Sequence, residues 1–142
     1  MGCHQQIANG VLKDIKERLR TMYNSTLEYT DYYDKMIYVA GAYGGSESNK
    51  DYIEKCCRKF SKEFPEFCFV NGVSQFSHWY GKSDSVVDDL KRCIALMKKC
   101  NEVWVVGDSW QGSQGTMVEI FIAMENNMPV IYDKDKQLKK EK

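Results

Sequence analysis

The sequence predicts an α/β protein: a three-layer α/β/α sandwich on a parallel sheet of about four to five strands, with an extra helix at the N-terminus. Three observations predict it. Residues 36–40 (MIYVA), 67–70 (FCFV), 103–106 (VWVV) and 129–132 (PVIY) are short apolar runs without alternation, the pattern of strands buried on both faces. Helix-length segments with apolar residues at 3.6-residue spacing separate the runs. Glycine-rich turns follow the first and third runs, where a parallel sheet carries its loops. Right-handed crossovers then lead to a flavodoxin- or Rossmann-like sheet.

Residues 1–34 read as a helical extension. Val11, Leu12, Ile15, Leu19 and Met22 share one helical face, with Lys13, Asp14, Lys16, Glu17 and Arg18 around the rest. This face packs either on its own domain or on a second subunit. The polar, tyrosine-rich YNSTLEYTDYYD that follows carries no assignable element. The domain proper spans 35–133. After its first strand, Gly41-Ala-Tyr-Gly-Gly45-Ser46 leads into a helix starting near Ser48, with Asp51 three residues on as in a capping box. Tyr52, Ile53, Cys56, Cys57 and Phe60 form its inner face, and Pro65 ends it. Residues 71–82 read as irregular and aromatic; Phe76, His78, Trp79 and Tyr80 either wall a pocket or plug one end of the core. A third helix is expected from Ser83 or Asp84 to Cys100. It turns Val86, Leu90, Cys93, Ile94 and Met97 inward and Asp88, Asp89, Lys91 and Arg92 mostly outward. Met117, Ile120, Phe121 and Met124 recur at helical spacing before the last strand, and 134–142 is a charged tail.

Composition narrows the function classes. With 142 residues the chain has room for one proper core. Its formal net charge is zero, which gives no electrostatic case for a nucleic acid polymer as partner. The longest apolar run is far short of a membrane span, and no secretory signal opens the chain. Gln6 stands where a myristoylation signal wants Ser or Thr. Six cysteines without a C-x-x-C pair, and two histidines far apart in sequence, lack metal-ligand spacing. The expectation is a cytoplasmic protein with reduced thiols, no metal and no cofactor.

Two loops carry the candidate site. Gly41, Gly44 and Gly45 let backbone approach a ligand, and the helix N-terminus behind Ser46 favours an anion. The loop lacks the Gly-Lys-Ser/Thr ending of a Walker loop and the spacing of a dinucleotide fingerprint. The second loop, 107–115, precedes a helix whose first turns hold Glu119. That residue is either an acid placed to suit the helix dipole or a functional carboxylate.

The motifs IYVAGAYGGSESN, NEVWVVG, SQGTMVEI and A-x-x-x-x-x-P-V, in this order over residues 36–132, resemble the nucleoside 2-deoxyribosyltransferase-like superfamily. That group includes deoxynucleoside monophosphate N-glycosidases and small uncharacterised bacterial and phage domains. The resemblance implies that Glu119 attacks the anomeric carbon of a nucleoside. It puts Tyr43, in the Gly-x-Tyr position, near the sugar or the carboxylate. Ser113 stands where the transferases have an aspartate and the monophosphate hydrolases a serine that contacts phosphate. Gly44, Gly45, Ser46, Asn49 and Gly115 would supply further neutral donors, and Trp79 and Met117 would wall the pocket. The chain departs from the pattern at Ala42, where proline is frequent, and at Cys93, in the helical slot of a further catalytic aspartate. Asp89 lies one turn earlier. Asp108, just past the third strand, either substitutes for that aspartate or makes a turn. The expected function is an N-glycosidase or deoxyribosyltransferase acting on a nucleoside or its 5′-monophosphate. The alternative is a binding module for a nucleotide-derived ligand. Relatives often complete the pocket from a neighbouring subunit, which leaves a homo-oligomer such as a homodimer open, with residues 1–34 offering a surface for it.

Overall fold

Both faces of β1 (Lys35–Ala40) are buried, and this makes the fold three-layered. Ile37 and Val39 join a core cluster with Ile53, Cys56 and Phe60 of α2 (Glu47–Glu63). Tyr38 and Ala40 join a second cluster with Met97 of α4 (Val86–Met97) and with Ile120 and Ala123 of α5 (Gln114–Glu125). β3 (Glu102–Val105) repeats the alternation, sending Trp104 to the α2 side and Val103 and Val105 to the other. Successive strand residues point to opposite faces, so an unbroken apolar run needs a helical layer on each side.

With β2 (Phe67–Val70) and β4 (Val130–Ile131) these strands form one parallel sheet in the order β2-β1-β3-β4. Tyr38 sits opposite Val70 on one neighbour and Val103 on the other. The crossover from β1 leads outward to β2, while β3 leads the opposite way to β4. The order therefore reverses between β1 and β3, which opens a crevice beyond their carboxyl ends. Phe60, Phe64, Phe67, Phe69 and Trp104 hold α2 against the sheet, with Phe60 and Trp104 edge to face at 5.2 Å.

This computed structural model describes residues 2–26, 33–79, 82 and 86–132. The chain divides into two compact units, Met1–Tyr32 and Tyr33–Lys142. The first contains α1 (Gly2–Thr26), on which Val11, Leu12, Ile15, Leu19 and Met22 are all exposed. No helix of the described residues is long and apolar enough to cross a membrane.

Several local expectations are corrected. Residues 72–79 are ordered into α3 (Gly72–Phe76) and a 3-10 turn (Ser77–Trp79), because the Asn71 side chain accepts the Ser74 N–H at 2.7 Å and caps the helix. Helix α2 begins before the Ser48–Asp51 pair: Ser46 is its N-cap and accepts the Asn49 N–H at 3.2 Å. Helix α4 ends at Met97, three residues short of Cys100. On α5 the buried positions are Thr116, Glu119, Ile120 and Ala123, whereas Met117, Phe121 and Met124 face solvent. Tyr80, Ser83, Asp84 and the charged tail lie outside the described residues. Cys56, Cys57, Cys68, Cys93 and Cys100 are not joined in disulfides.

Candidate active site

The crevice at the switch point is a cleft of about 830 Å³, within the usual range for small-molecule sites. Both loops singled out in the sequence meet there. After β1, the backbone passes through Gly41 and Gly44 to the α2 N-terminus. After β3, it turns at Gly107 (φ 80°), makes a 3-10 turn (Trp110–Gly112) and enters α5 under the Ser113 cap. Gly41 is where the two strand ends crowd together: a Cβ there would lie 3.1 Å from Val106 and 3.2 Å from Ile53. Gly44 has φ 59°, a conformation glycine adopts at no steric cost.

The floor of the cleft is polar and buried. Glu119 is 7% exposed, and the Tyr38 hydroxyl, reaching across from β1, donates a short hydrogen bond to its Oε2. Burial pushes the Glu119 carboxyl up from its ordinary 4.5 to about 7, a rise the Tyr38 hydrogen bond partly opposes. Burial also raises the Tyr38 hydroxyl well above 10, and the Glu119 charge adds to this. The phenol therefore keeps its proton and acts as donor. The Cys93 thiol, from α4, lies against the same hydroxyl and is pushed by burial to about 11. It is a neutral group, not a thiolate nucleophile.

Gly72, at the start of α3, makes this packing sterically feasible. A Cβ at Gly72 would fall 2.4 Å from the Cys93 Sγ and 2.6 Å from the Tyr38 hydroxyl oxygen. Around the floor, Val73, Phe76, Val87 and Leu90 form an apolar side, and Asp89 adds a second carboxylate. Asp89 is held by Arg92 at 2.5 Å, and Arg92 lies over the Trp79 ring at 5.0 Å. Among the described residues none of the cleft-lining side chains is basic, and no group of His, Cys, Asp or Glu is arranged to hold a metal ion.

The candidate residues fall in different places. Glu119, Tyr43, Gly41, Gly44, Asn49, Ser113 and Gly115 all line the cleft. Ser46 and Gly45 are adjacent to the lining; Ser46 caps α2, and Gly45 (φ 80°) shapes the turn. The Tyr43 carbonyl accepts from the Ser46 N–H at 3.0 Å and from the Asn49 side chain at 3.2 Å, tying the loop to the helix start. Ser113 caps α5, accepting from the Thr116 N–H at 3.3 Å and the Thr116 hydroxyl at 3.0 Å. Three further positions are off the lining. Asp108 is exposed beyond β3, in the turn that Gly107 begins. Met117 is 49% exposed because the inner face of α5 is the one bearing Thr116 and Glu119. Trp79 stands behind Phe76, stacked on it at 5.8 Å, and only Phe76 reaches the cleft.

Sequence reasoning did not select Tyr38, Gly72 or Asp89 as site residues. A signal existed for Tyr38: it is the one hydroxyl in an otherwise aliphatic, doubly buried strand, so its proton needs an internal partner. Asp89 had only its place one turn before the Cys93 slot, and Gly72 gave no signal, because its importance depends on which elements meet in space. No protein-family model matches the chain, and comparison with curated proteins gives no match either.

Proposed function

We propose that the cleft binds a nucleoside or nucleoside 5′-monophosphate and breaks its N-glycosidic bond with Glu119 as nucleophile. The observation that carries this reading is the buried Glu119 carboxylate, oriented by Tyr38 at the floor of a glycine-walled cleft at the sheet's switch point. The motif resemblance to the deoxyribosyltransferase-like superfamily supplies the reaction class.

In this reaction a Glu119 oxygen bonds to the anomeric carbon as the carbon–nitrogen bond breaks, and the bonding pair leaves with the base, which takes a proton from solvent. Water, or an acceptor base in a transferase, then displaces the glycosyl ester and regenerates the carboxylate. Tyr38 donates to Oε2, which leaves Oε1 as the attacking atom. The charged lining groups are Asp89 and Glu119, so a 5′-phosphate would be held by backbone N–H groups of the two loops and by the Ser113 hydroxyl. Asp89 takes the place first given to Asp108: oriented by Arg92, it accepts a hydrogen bond from the base against the apolar wall that ends in Phe76. Asp89→Asn is expected to lower kcat/KM roughly 10- to 100-fold, while Asp108→Asn leaves it near the wild-type value.

The test is incubation with deoxynucleosides and their 5′-monophosphates, with free base followed chromatographically. Base release that survives Glu119→Ala would refute the assignment. The second reading is a binding module, favoured by Cys93 in the slot where the enzymes have an aspartate. It predicts no base release from any substrate, together with a rise in Tm when nucleotide is added.

A further inference from the structure

The parts of a nucleoside 5′-monophosphate need different things from the cleft, and the cleft offers each on a different side. The anomeric carbon belongs at Glu119 on the floor. The phosphate belongs at the loop backbones and Ser113, where the α2 and α5 N-termini open. The base is left with the side built by α3 and α4. Val73 and Phe76 come to it from one helix, Val87 and Leu90 from the other. These groups suit the flat faces of a ring but do not tell one base from another.

A base is told apart by its edge, through hydrogen bonds. Among the described residues lining that side, Asp89 is the charged one, in the same turn of α4 as Val87 and Leu90. The neighbouring Ser77 hydroxyl serves as donor or acceptor and so fixes no pattern. Asp89 is 15% exposed, is held by Arg92 at 2.5 Å, and Arg92 is backed by the Trp79 ring at 5.0 Å. The carboxylate is therefore oriented before a ligand arrives. It accepts hydrogen bonds and cannot donate them, and of its roughly four acceptor positions Arg92 takes one.

Guanine matches such a group. Its N1–H and N2–H donors lie side by side, at the spacing of the two oxygens of a carboxylate. Adenine sets an N6–H donor beside the N1 lone pair, and cytosine sets N4–H beside the N3 lone pair. Thymine has its N3–H between two carbonyl oxygens. In those three a lone pair is brought against a carboxylate oxygen, a repulsion that a water-poor cleft strengthens.

We infer that the cleft selects guanine among the nucleotide bases, with Asp89 as the specificity-determining residue that accepts from guanine N1–H and N2–H. This rests on the reading of the cleft as a nucleoside or nucleotide site and deepens it by naming the base.

The test is calorimetric titration of the Glu119→Gln chain, which cannot turn substrate over, with deoxynucleoside 5′-monophosphates of guanine, hypoxanthine, adenine, cytosine and thymine. Guanine is expected to bind tightest. Hypoxanthine, which keeps N1–H and lacks the N2 donor, should bind roughly 10-fold more weakly, and the other three weaker still. Adding Asp89→Asn should invert the order, because an amide presents an acceptor beside a donor and so matches adenine and cytosine. A loss of structure would weaken all five ligands alike and could not produce that inversion. Equal affinities, a preference for thymine, or a guanine preference that survives Asp89→Asn would overturn the inference. Base release by the wild-type chain at equal kcat/KM from all bases would overturn it while leaving the reaction standing. Selective guanine binding without base release would refute the reaction and uphold the inference. Failure to bind any of the five would overturn both.

Discussion

Glu119→Gln is expected to reduce base release at least roughly a thousandfold and, above neutral pH, to make the protein more stable than the wild type. The amide oxygen still accepts the Tyr38 hydrogen bond, so the floor of the cleft stays packed, but the amide cannot attack the anomeric carbon. The stability gain follows from proton linkage. In the folded protein burial raises Glu119 to about 7, while its ordinary value is 4.5. Between those pH values the folded state holds a proton that the unfolded chain has released. Stability is therefore fully present below the ordinary value and declines as pH rises through about 7. Beyond that the loss is complete, at roughly 3 kcal/mol for a rise of this size. Glutamine carries no such titration. The stability difference between variant and wild type, read from denaturant midpoints, should widen between about pH 5 and about pH 8 and then level off. An equal difference at both values would show that burial does not hold the proton on Glu119. For the proposed reaction the same titration predicts wild-type activity that climbs through about pH 7, as Glu119 ionises.

The second large effect is expected at a residue that offers no functional group. Gly72→Ala puts a methyl 2.4 Å from the Cys93 Sγ and 2.6 Å from the Tyr38 hydroxyl oxygen, distances that atoms do not tolerate. Neither neighbour yields easily. Tyr38 is clamped in the central strand with 2% of its surface exposed, and the Cys93 Cβ itself would be only 2.9 Å away. The substitution should cost about 1–3 kcal/mol of stability and lower Tm by several degrees. It should also pull the Tyr38 hydroxyl from Glu119, so that activity falls with it. Removing the thiol as well, in Gly72→Ala/Cys93→Ala, relieves the first clash but not the one with Tyr38. Stability should recover in part while activity stays low. Recovery of full activity in the double variant would show that Tyr38 does not position the carboxylate. Additive losses would show that Gly72 and Cys93 are not in contact.

These two residues mark how far the sequence could be read. Glu119 was legible as a candidate because local pattern places it: a strand, a glycine-bearing loop and a helix start precede it in order, and the motif resemblance names it. Its burial was not legible, since α5 is apolar nearly all round and Met117, Phe121 and Met124 offered an equally convincing inner face. Asp108 and Asp89 were equally eligible on spacing. What separates them is that α4 runs along the cleft, whereas Asp108 sits in a solvent-facing turn.

By itself the sequence determined the parallel α/β architecture, the order of its elements, the convergence of two loops and the amphipathic helix near the N-terminus. All of these follow from periodicity and from the backbone freedom of particular glycines, which neighbouring residues along the chain already encode. Only the tertiary structure decided that Tyr38, Cys93 and Gly72 converge on Glu119, that Asp89 reaches the cleft, and which side of α5 is inside. Those are contacts between elements distant in sequence, made by the stacking of helices on a twisted sheet, and no local pattern carries the distance between two side chains on different layers.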